Sequence, residues 1–245
     1  MNIVIFGATS AIAQAWARLH AVQGAGFYLV GRDAGKLEAV KNDLLTRGAC
    51  EVQLHTADLA QAQDYSVMAD QLYAHWPKID IALFAQGSLP DQRELEKNII
   101  AVRAMFELNA MSYILPASVI AERMTQAGSG SVVLISSVAG DRGRQSNYFY
   151  GTSKAAVTTF AQGLRNHVFK HGVQVLTIKP GFVDTPMTAN IAKGGPLWAT
   201  PEQIAVCIEK GLKKKKDVIY APWFWQIIML VIKNIPEIIF KRLQL

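Results

Sequence analysis

Cysteine is nearly absent from this 245-residue chain: Cys50 and Cys207 stand far apart and form no C-x-x-C spacing. That excludes a disulfide framework and argues against a cysteine-ligated zinc site. Histidine is scarce too. The one suggestive pair, His167 and His171 at i, i+4, has no glutamate beside it and no third ligand, so no metal is expected. Long apolar runs are also missing, and the run from Ile227 to Ile232 falls well short of the roughly 20 residues of a spanning helix. Low-complexity segments and repeats of solenoid period are lacking. No charged n-region or cleavage site precedes the strand pattern that starts at Asn2, so a cytoplasmic location is expected.

What is present is a chain that is 51% hydrophobic and long enough to bury one α/β core. Its net charge of +6 is unevenly spread: residues 213–245 carry seven Lys/Arg against two Asp/Glu. The division expected is therefore an α/β domain over 1–212 and a basic, apolar helical extension over 213–245. No nucleic-acid module accompanies the basic patch, so nucleic acid is not an expected partner. Trp223, Phe224 and Trp225 beside the apolar run, with lysines flanking it, suit a helix lying in a headgroup layer and broken near Pro236. That places the chain at the inner face of the cytoplasmic membrane. A dimer interface or a lid packed on the core is the alternative, and the two can coexist.

Short apolar runs alternate with longer helical patterns: Ile3 to Phe6, Phe27 to Val30, Val52 to His55, Ile79 to Ala85, Val132 to Ser136 and Val173 to Ile178. Such alternation indicates βαβ units, and near-continuous apolar runs indicate parallel strands covered on both faces. Right-handed crossovers then give a doubly wound parallel sheet whose ligands bind beyond the carboxyl ends of the strands. Gly7, Asp58, Gly87, Ser137 and Pro180 all follow predicted strand ends, so they converge on one edge.

Three pieces of sequence carry chemistry. Gly7 to Ala13 forms the turn into the first helix, whose free N–H groups and positive dipole end suit a pyrophosphate. Gly31-Arg32-Asp33 ends the second strand, where dinucleotide folds read the adenosine ribose; arginine there suits a 2′-phosphate and an acid suits a free 2′-hydroxyl. Tyr150 and Lys154, four residues apart on a helix, share a face, and a neighbouring cation favours ionised tyrosine. Ser137, thirteen residues earlier, reaches the same substrate oxygen.

Gly7, Asn109, Ser137, Tyr150 with Lys154, and Pro180-Gly181, in that order, resemble the short-chain dehydrogenase/reductase family over residues 2 to 187. The resemblance implies a Rossmann-type fold, hydride transfer to a carbonyl with Tyr150 as general acid, and oxyanion stabilisation by Ser137. Lys154 would hold the nicotinamide ribose and lower the pKa of Tyr150, and Asn109 would anchor a water relay to Lys154. Gly7, Thr9, Ser10, Ala11 and Ile12 would hold the pyrophosphate, although Ala11 and Ala13 replace family glycines. Asp58 and Leu59 would meet the adenine, unless Asp58 merely caps the next helix. Gly87 is kept from the family's Asn-Asn-Ala-Gly, and Pro180, Gly181, Val183 and Thr185 would clamp the nicotinamide. Gly31 stands where an NAD-type acid would be and Arg32 follows, so NADP(H) is favoured; NAD(H) held by Asp33 is the alternative. The family also implies homo-oligomers. Gly87 to Gln92 and the tail look similar to reductases of polyprenyl-phosphate-linked keto-pentoses, with Arg142 and Arg144 at hand for a phosphate. A general reductase of fatty or steroid-like carbonyls, and a non-catalytic NADP-binding adaptor, are the competing readings.

Overall fold

A computed structural model describes residues 1–61 and 64–243. In chain order the elements are β1 (Asn2–Phe6), α1 (Ala11–Ala21), β2 (Gly26–Gly31), α2 (Ala34–Thr46), β3 (Glu51–Thr56), α3 (Tyr65–His75) and β4 (Ile81–Phe84). There follow α4 (Gln92–Lys97), α5 (Ile99–Phe106), a π turn over Glu107–Met111, α6 (Ser112–Ala127), β5 (Gly130–Ile135), α7 (Tyr148–Val168) and β6 (Val173–Pro180). The remainder is a short strand pair, β7 (Phe182–Val183) with β8 (Trp198–Ala199), then α8 (Pro201–Lys213), β9 (Val218–Ala221), α9 (Phe224–Asn234) and α10 (Glu237–Phe240).

Seven strands form one parallel sheet in the order β3-β2-β1-β4-β5-β6-β9. All six residues of β2 and all four of β4 are buried, as expected for strands with helices on both faces. One face packs on Ile12, Trp16, Leu37, Leu44, Ile204 and Ile208, so α1, α2 and α8 cover it. The other packs on Leu72, Tyr113, Ile120, Val157 and Val168 from α3, α6 and α7. The order reverses between β1 and β4, which makes the carboxyl ends of those two strands the switch point. Phe6 and Phe84 are register partners there and their rings stack, with centroids 4.7 Å apart.

Most strand ends lie within two residues of the sequence reading, and two differences bear on the fold. The fourth strand starts at Ile81, after Asp80, whose carboxylate accepts from the Asn2 amide at 2.8 Å and so fixes the start of both strands. The larger difference lies past residue 212. Val218–Ala221 pairs with β6 as the seventh strand, so a boundary at 212 would cut through the main sheet. Four residues behind a lysine run carry too little pattern to read as a strand. The lysines themselves end α8: Lys213 and Lys214 sit at its C-terminus, where cations oppose the dipole, and Lys215 takes a positive φ of 48° in the turn that follows.

The tail then folds back over the sheet edge. Trp225 and Met229 of α9 are buried against Val138, and the Trp225 indole lies on Gly181 so closely that a Cβ there would sit 1.9 Å from Nε1. Arg142 holds the far end of α9. Its Nη1 donates to the carbonyls of Ile232 and Ile235, both at 2.6 Å, its Nη2 donates to Glu237, and its guanidinium stacks 3.7 Å from the Phe240 ring. The expectation that Arg142 serves a phosphate at the cleft mouth is thereby corrected, because its donors close a helix end. The inner face of the tail is a lid on the core, while Trp223, Ile227, Leu230, Val231, Ile238 and Ile239 remain exposed on the outside.

A chain ended at residue 212 loses β9, Trp225 and Met229 together. Its thermal midpoint is expected to fall by at least about 10 °C, given the cost of removing one buried aromatic alone. A truncated protein melting at the full-length temperature would restore the boundary at 212.

Candidate active site

One cavity of about 910 Å³ runs across the carboxyl ends of the strands. At one end it is lined by Gly7, Thr9, Ser10, Ala11 and Ile12, with Arg32, Asp58 and Leu59 beside them. At the other it is lined by Gly87, Ser137, Tyr150, Lys154, Pro180, Gly181, Val183 and Thr185. Of the residues singled out in the sequence for catalysis or cofactor binding, Asn109 and the alternative ribose acid Asp33 are not on this wall.

The first turn is shaped for close approach. Gly7 has φ +74°, and a Cβ there would lie 2.5 Å from the backbone nitrogen of Gln86, so only glycine fits. Ser10 caps α1 without a side-chain hydrogen bond, and the first turn of the helix contains no acid. Its N–H groups are thus left to an anion. Ala11 and Ala13 need no positive φ; among the described residues Lys215 is the one non-glycine that has it. The two departures from the glycine pattern therefore cost no backbone strain.

Arg32 is exposed at the rim of the cavity. Asp33 is turned to other work: its carboxylate caps α2 by accepting from the Lys36 amide at 2.9 Å. Asp58 does not cap the next helix, because Asp64 fills that position and Asp58 accepts from the Ala60 amide at 3.0 Å.

Tyr150 and Lys154 lie one turn apart on α7, with Ser137 facing them from the end of β5. Ser137 lies beside Tyr150, close enough to favour its ionised form, and accepts from the Ala139 amide at 3.1 Å. The neighbouring Ser136 and Tyr148, of the same types, are engaged elsewhere: Ser136 bonds the Lys154 carbonyl and Thr158, and Tyr148 donates to Glu96 on the exterior. Burial pushes the Tyr150 phenol up to about 12, with the neighbouring Ser137 hydroxyl opposing it. Burial also brings the Lys154 ammonium down to about 7. The expected lowering of Tyr150 by Lys154 is not seen among the side chains alone. Lys154 Nζ is 6.0 Å from the Tyr150 ring centroid and donates instead to the Tyr113 hydroxyl and the Ile135 carbonyl, each at 3.2 Å.

Asn109 sits in the π turn between α5 and α6, an irregularity that recurs at functional sites. Both ends of its amide grip Ser88: Oδ1 accepts from the Ser88 N–H and Nδ2 donates to the Ser88 carbonyl, each at 2.8 Å. A Cβ on Gly87 would meet Asn109 Oδ1 at 3.1 Å and Lys154 Nζ at 3.7 Å, so the missing side chain keeps the space between them open.

Tyr113 and Gln86 were not singled out in the sequence. Tyr113 accepts from Lys154 and donates to the Gln86 carbonyl, while Gln86 Nε2 donates to the Ser112 carbonyl at 2.7 Å. Pro116 explains that last bond: it lacks the N–H that would otherwise take the Ser112 carbonyl four residues back. A tyrosine four residues after Asn109 was the available signal.

Lys154 generates a stability prediction. The unfolded lysine keeps its proton to about pH 10.4, whereas the folded one sheds it near 7. Between pH 7 and 10 the unfolded state therefore binds more protons, and this group makes stability rise with pH by up to about 1.4 kcal/mol per unit. Urea unfolding without added cofactor should show that slope in the wild type and lose it in Lys154→Met; an unchanged slope would contradict the buried, desolvated ammonium.

The short chain dehydrogenase family profile matches residues 1–195. An uncharacterized oxidoreductase of Mycobacterium tuberculosis is 32% identical over 241 residues, covering 98% of this chain and 96% of the relative. Among solved structures, a short chain dehydrogenase/reductase family protein superposes with a TM-score of 0.78 at 27% identity, covering 90% of this chain and 95% of its own. A short-chain dehydrogenase from Sphingobium yanoikuyae, in complex with NADPH, gives 0.83 at 23% identity, with 96% of each chain covered. With the profile spanning every strand of the main sheet but the last and a relative aligned nearly end to end, this chain belongs to the short-chain dehydrogenase/reductase family and is an NAD(P)-dependent oxidoreductase.

Proposed function

We propose that the chain is an NADP(H)-dependent reductase that converts a carbonyl to an alcohol, with Tyr150 as proton donor and a lipid-linked keto-sugar as substrate. The observation that carries this reading is the grouping of Ser137, Tyr150 and Lys154 in the same cavity as the uncapped α1 N-terminus. When bound, the nicotinamide cofactor supplies the hydride. A phenol held near pKa 12 is protonated at neutral pH, the form that donates to a developing alkoxide. Ser137 donates to the same oxygen and stabilises its charge. Lys154, poised near 7, exchanges protons with the tyrosine side of the site, and Tyr113 with the Ile135 carbonyl fixes its direction. Asn109 holds the Ser88 loop beside Lys154, where a water relay would reach it.

Arg32 supports NADP(H) over NAD(H), and the capping role of Asp33 removes the nearest acid from competition for a free ribose hydroxyl. The lipid part of the reading rests on apolar surface. Leu89, Pro90, Met105, Leu108 and Ile191 line the cavity, and two bordering elements expose apolar residues: Ile99 and Ile100 on α5, and the outer stripe of α9. We place that stripe against a membrane surface at the cytoplasmic face, with lysines beside it for anionic headgroups. Met111 at the end of the π turn, Leu115 on α6 and Tyr148 on α7 are exposed, and they form the face we assign to a homo-oligomer. A general reductase of small ketones is the second reading, favoured by the closure of Arg142 onto α9, which removes one of the two arginines available for a lipid phosphate.

Purified protein should oxidise NADPH in the presence of a polyprenyl-phosphate keto-pentose, and Tyr150→Phe should abolish turnover while retaining cofactor affinity. Arg32→Ala should weaken NADPH binding by about 10- to 100-fold and leave NADH binding unchanged, the worth of a charged hydrogen-bonded contact. Equal losses for both cofactors would remove the 2′-phosphate role. Turnover of simple ketones alone would leave the second reading.

The membrane assignment has a separate check. Full-length protein should float with vesicles containing anionic phospholipid, and the combined Ile227→Ser, Leu230→Ser and Val231→Ser variant should stay in the soluble fraction. Flotation equal for both proteins would free the stripe for a protein partner.

A further inference from the structure

Three buried polar atoms that lack a hydrogen-bond partner belong to residues lining the same cavity: Arg144 Nε, Asn147 Oδ1 and Trp225 Nε1. They come from two separate parts of the chain, the loop before α7 and the C-terminal helix α9. Native proteins leave few such atoms, so three around one cavity need a reason.

Arg144 is the centre of the group. Burial pulls its guanidinium below the usual range, and Asp141 is the acid that opposes the shift. Yet both Asp141 oxygens are engaged, one by Lys179 Nζ at 2.5 Å and the other by the Tyr220 hydroxyl at 2.6 Å. The contact that Arg144 does make runs from Nη2 to the Met229 thioether at 3.4 Å, and sulfur is a weak acceptor. Arg142, two residues away, has its donors on three carbonyls and a carboxylate. The loop thus carries one satisfied arginine that holds the fold and one unsatisfied arginine in the cleft.

A partly buried cation whose one acidic neighbour, Asp141, is already bonded to Lys179 and Tyr220 gains from meeting a further anion. Here the cation lines the cavity, so its counter-charge has a way in. Trp225 Nε1 adds a second donor. Asn147 presents Oδ1, or Nδ2 after a half-turn of its amide, and so serves a hydroxyl or an oxyanion. The Arg144 carbonyl accepts from the Asn147 amide at 3.1 Å, and the Asn147 carbonyl accepts from Gly151 at 2.8 Å, which ties the group to the helix that carries Tyr150.

We infer that Arg144, Trp225 and Asn147 form a subsite for an anionic group on the substrate, a carboxylate or a phosphate, carried on the same molecule as the carbonyl. The inference rests on the carbonyl-reductase reading for its substrate, but the anion site itself can be tested apart from turnover.

Full-length wild type, Arg144→Met and Trp225→Phe are compared on ketones matched except for a carboxylate, a phosphate or a neutral ester. The ratio of kcat/KM for charged over neutral ketone should fall about 10- to 100-fold in Arg144→Met, chiefly through KM, and by a smaller factor in Trp225→Phe. The carboxylate and phosphate arms tell the two anions apart. A loss equal on charged and neutral ketones would overturn the subsite. In parallel, acetate and inorganic phosphate are titrated against thermal midpoint. Stabilisation should be lost in Arg144→Met and retained at this site in Arg32→Ala, and Arg144→Met without anion should melt at or above the wild-type temperature, because an unpaired charge has been removed. Anion stabilisation through Arg144 without ketone turnover would support the subsite and sink the reductase reading. Ketone turnover with no Arg144 dependence on charge would do the reverse.

Discussion

The backbone contact between Gly7 and Gln86 is the constraint on which the site depends. The turn leaving β1 passes so close to the chain leaving β4 that no side chain fits at Gly7. That approach fixes Gln86, whose carbonyl takes the Tyr113 hydroxyl, which in turn takes Lys154. A line of contacts thus runs from the turn after β1 to the lysine in the cavity wall. It crosses β1, β4, α6 and α7, the four elements around the switch point, so the two ends of the cavity hold a fixed relation to each other.

Much of this was legible in the sequence because parallel strands buried on both faces leave near-continuous apolar runs. Six of the seven strands of the main sheet, and the edge on which the site residues gather, follow from that pattern. Tyr150 and Lys154 were readable because four-residue spacing on a helix fixes a shared face, and Gly7 because nothing else tolerates its φ and its neighbour. Val218–Ala221 escaped because an edge strand of four residues, partly exposed, has no run long enough to stand out. The local charge state of Tyr150 and Lys154 escaped for a different reason. Sequence gives neighbours along a helix, but desolvation depends on how all surrounding segments close over the pair.

The arginines of the loop after β5 illustrate the same limit. Arg142 and Arg144 look equivalent in sequence, both basic and both in a glycine-containing loop. Their fates are set by residues about 90 positions later, where α9 offers open carbonyls to one and a thioether to the other. The tail that composition marked as a separate extension is what decides between them. Its Trp225 also lines the cavity that holds Tyr150, so the pocket is built from both ends of the chain.

That contribution comes late in the chain. Trp225 and Met229 lie within the last 21 residues, and Arg142 is held by carbonyls from that same stretch. A stretch of chain that stops short of α9 carries Gly7, Ser137, Tyr150 and Lys154 but not the Trp225 part of the cavity lining. The shape of the cavity is therefore completed later along the chain than the side chains that sit in its wall.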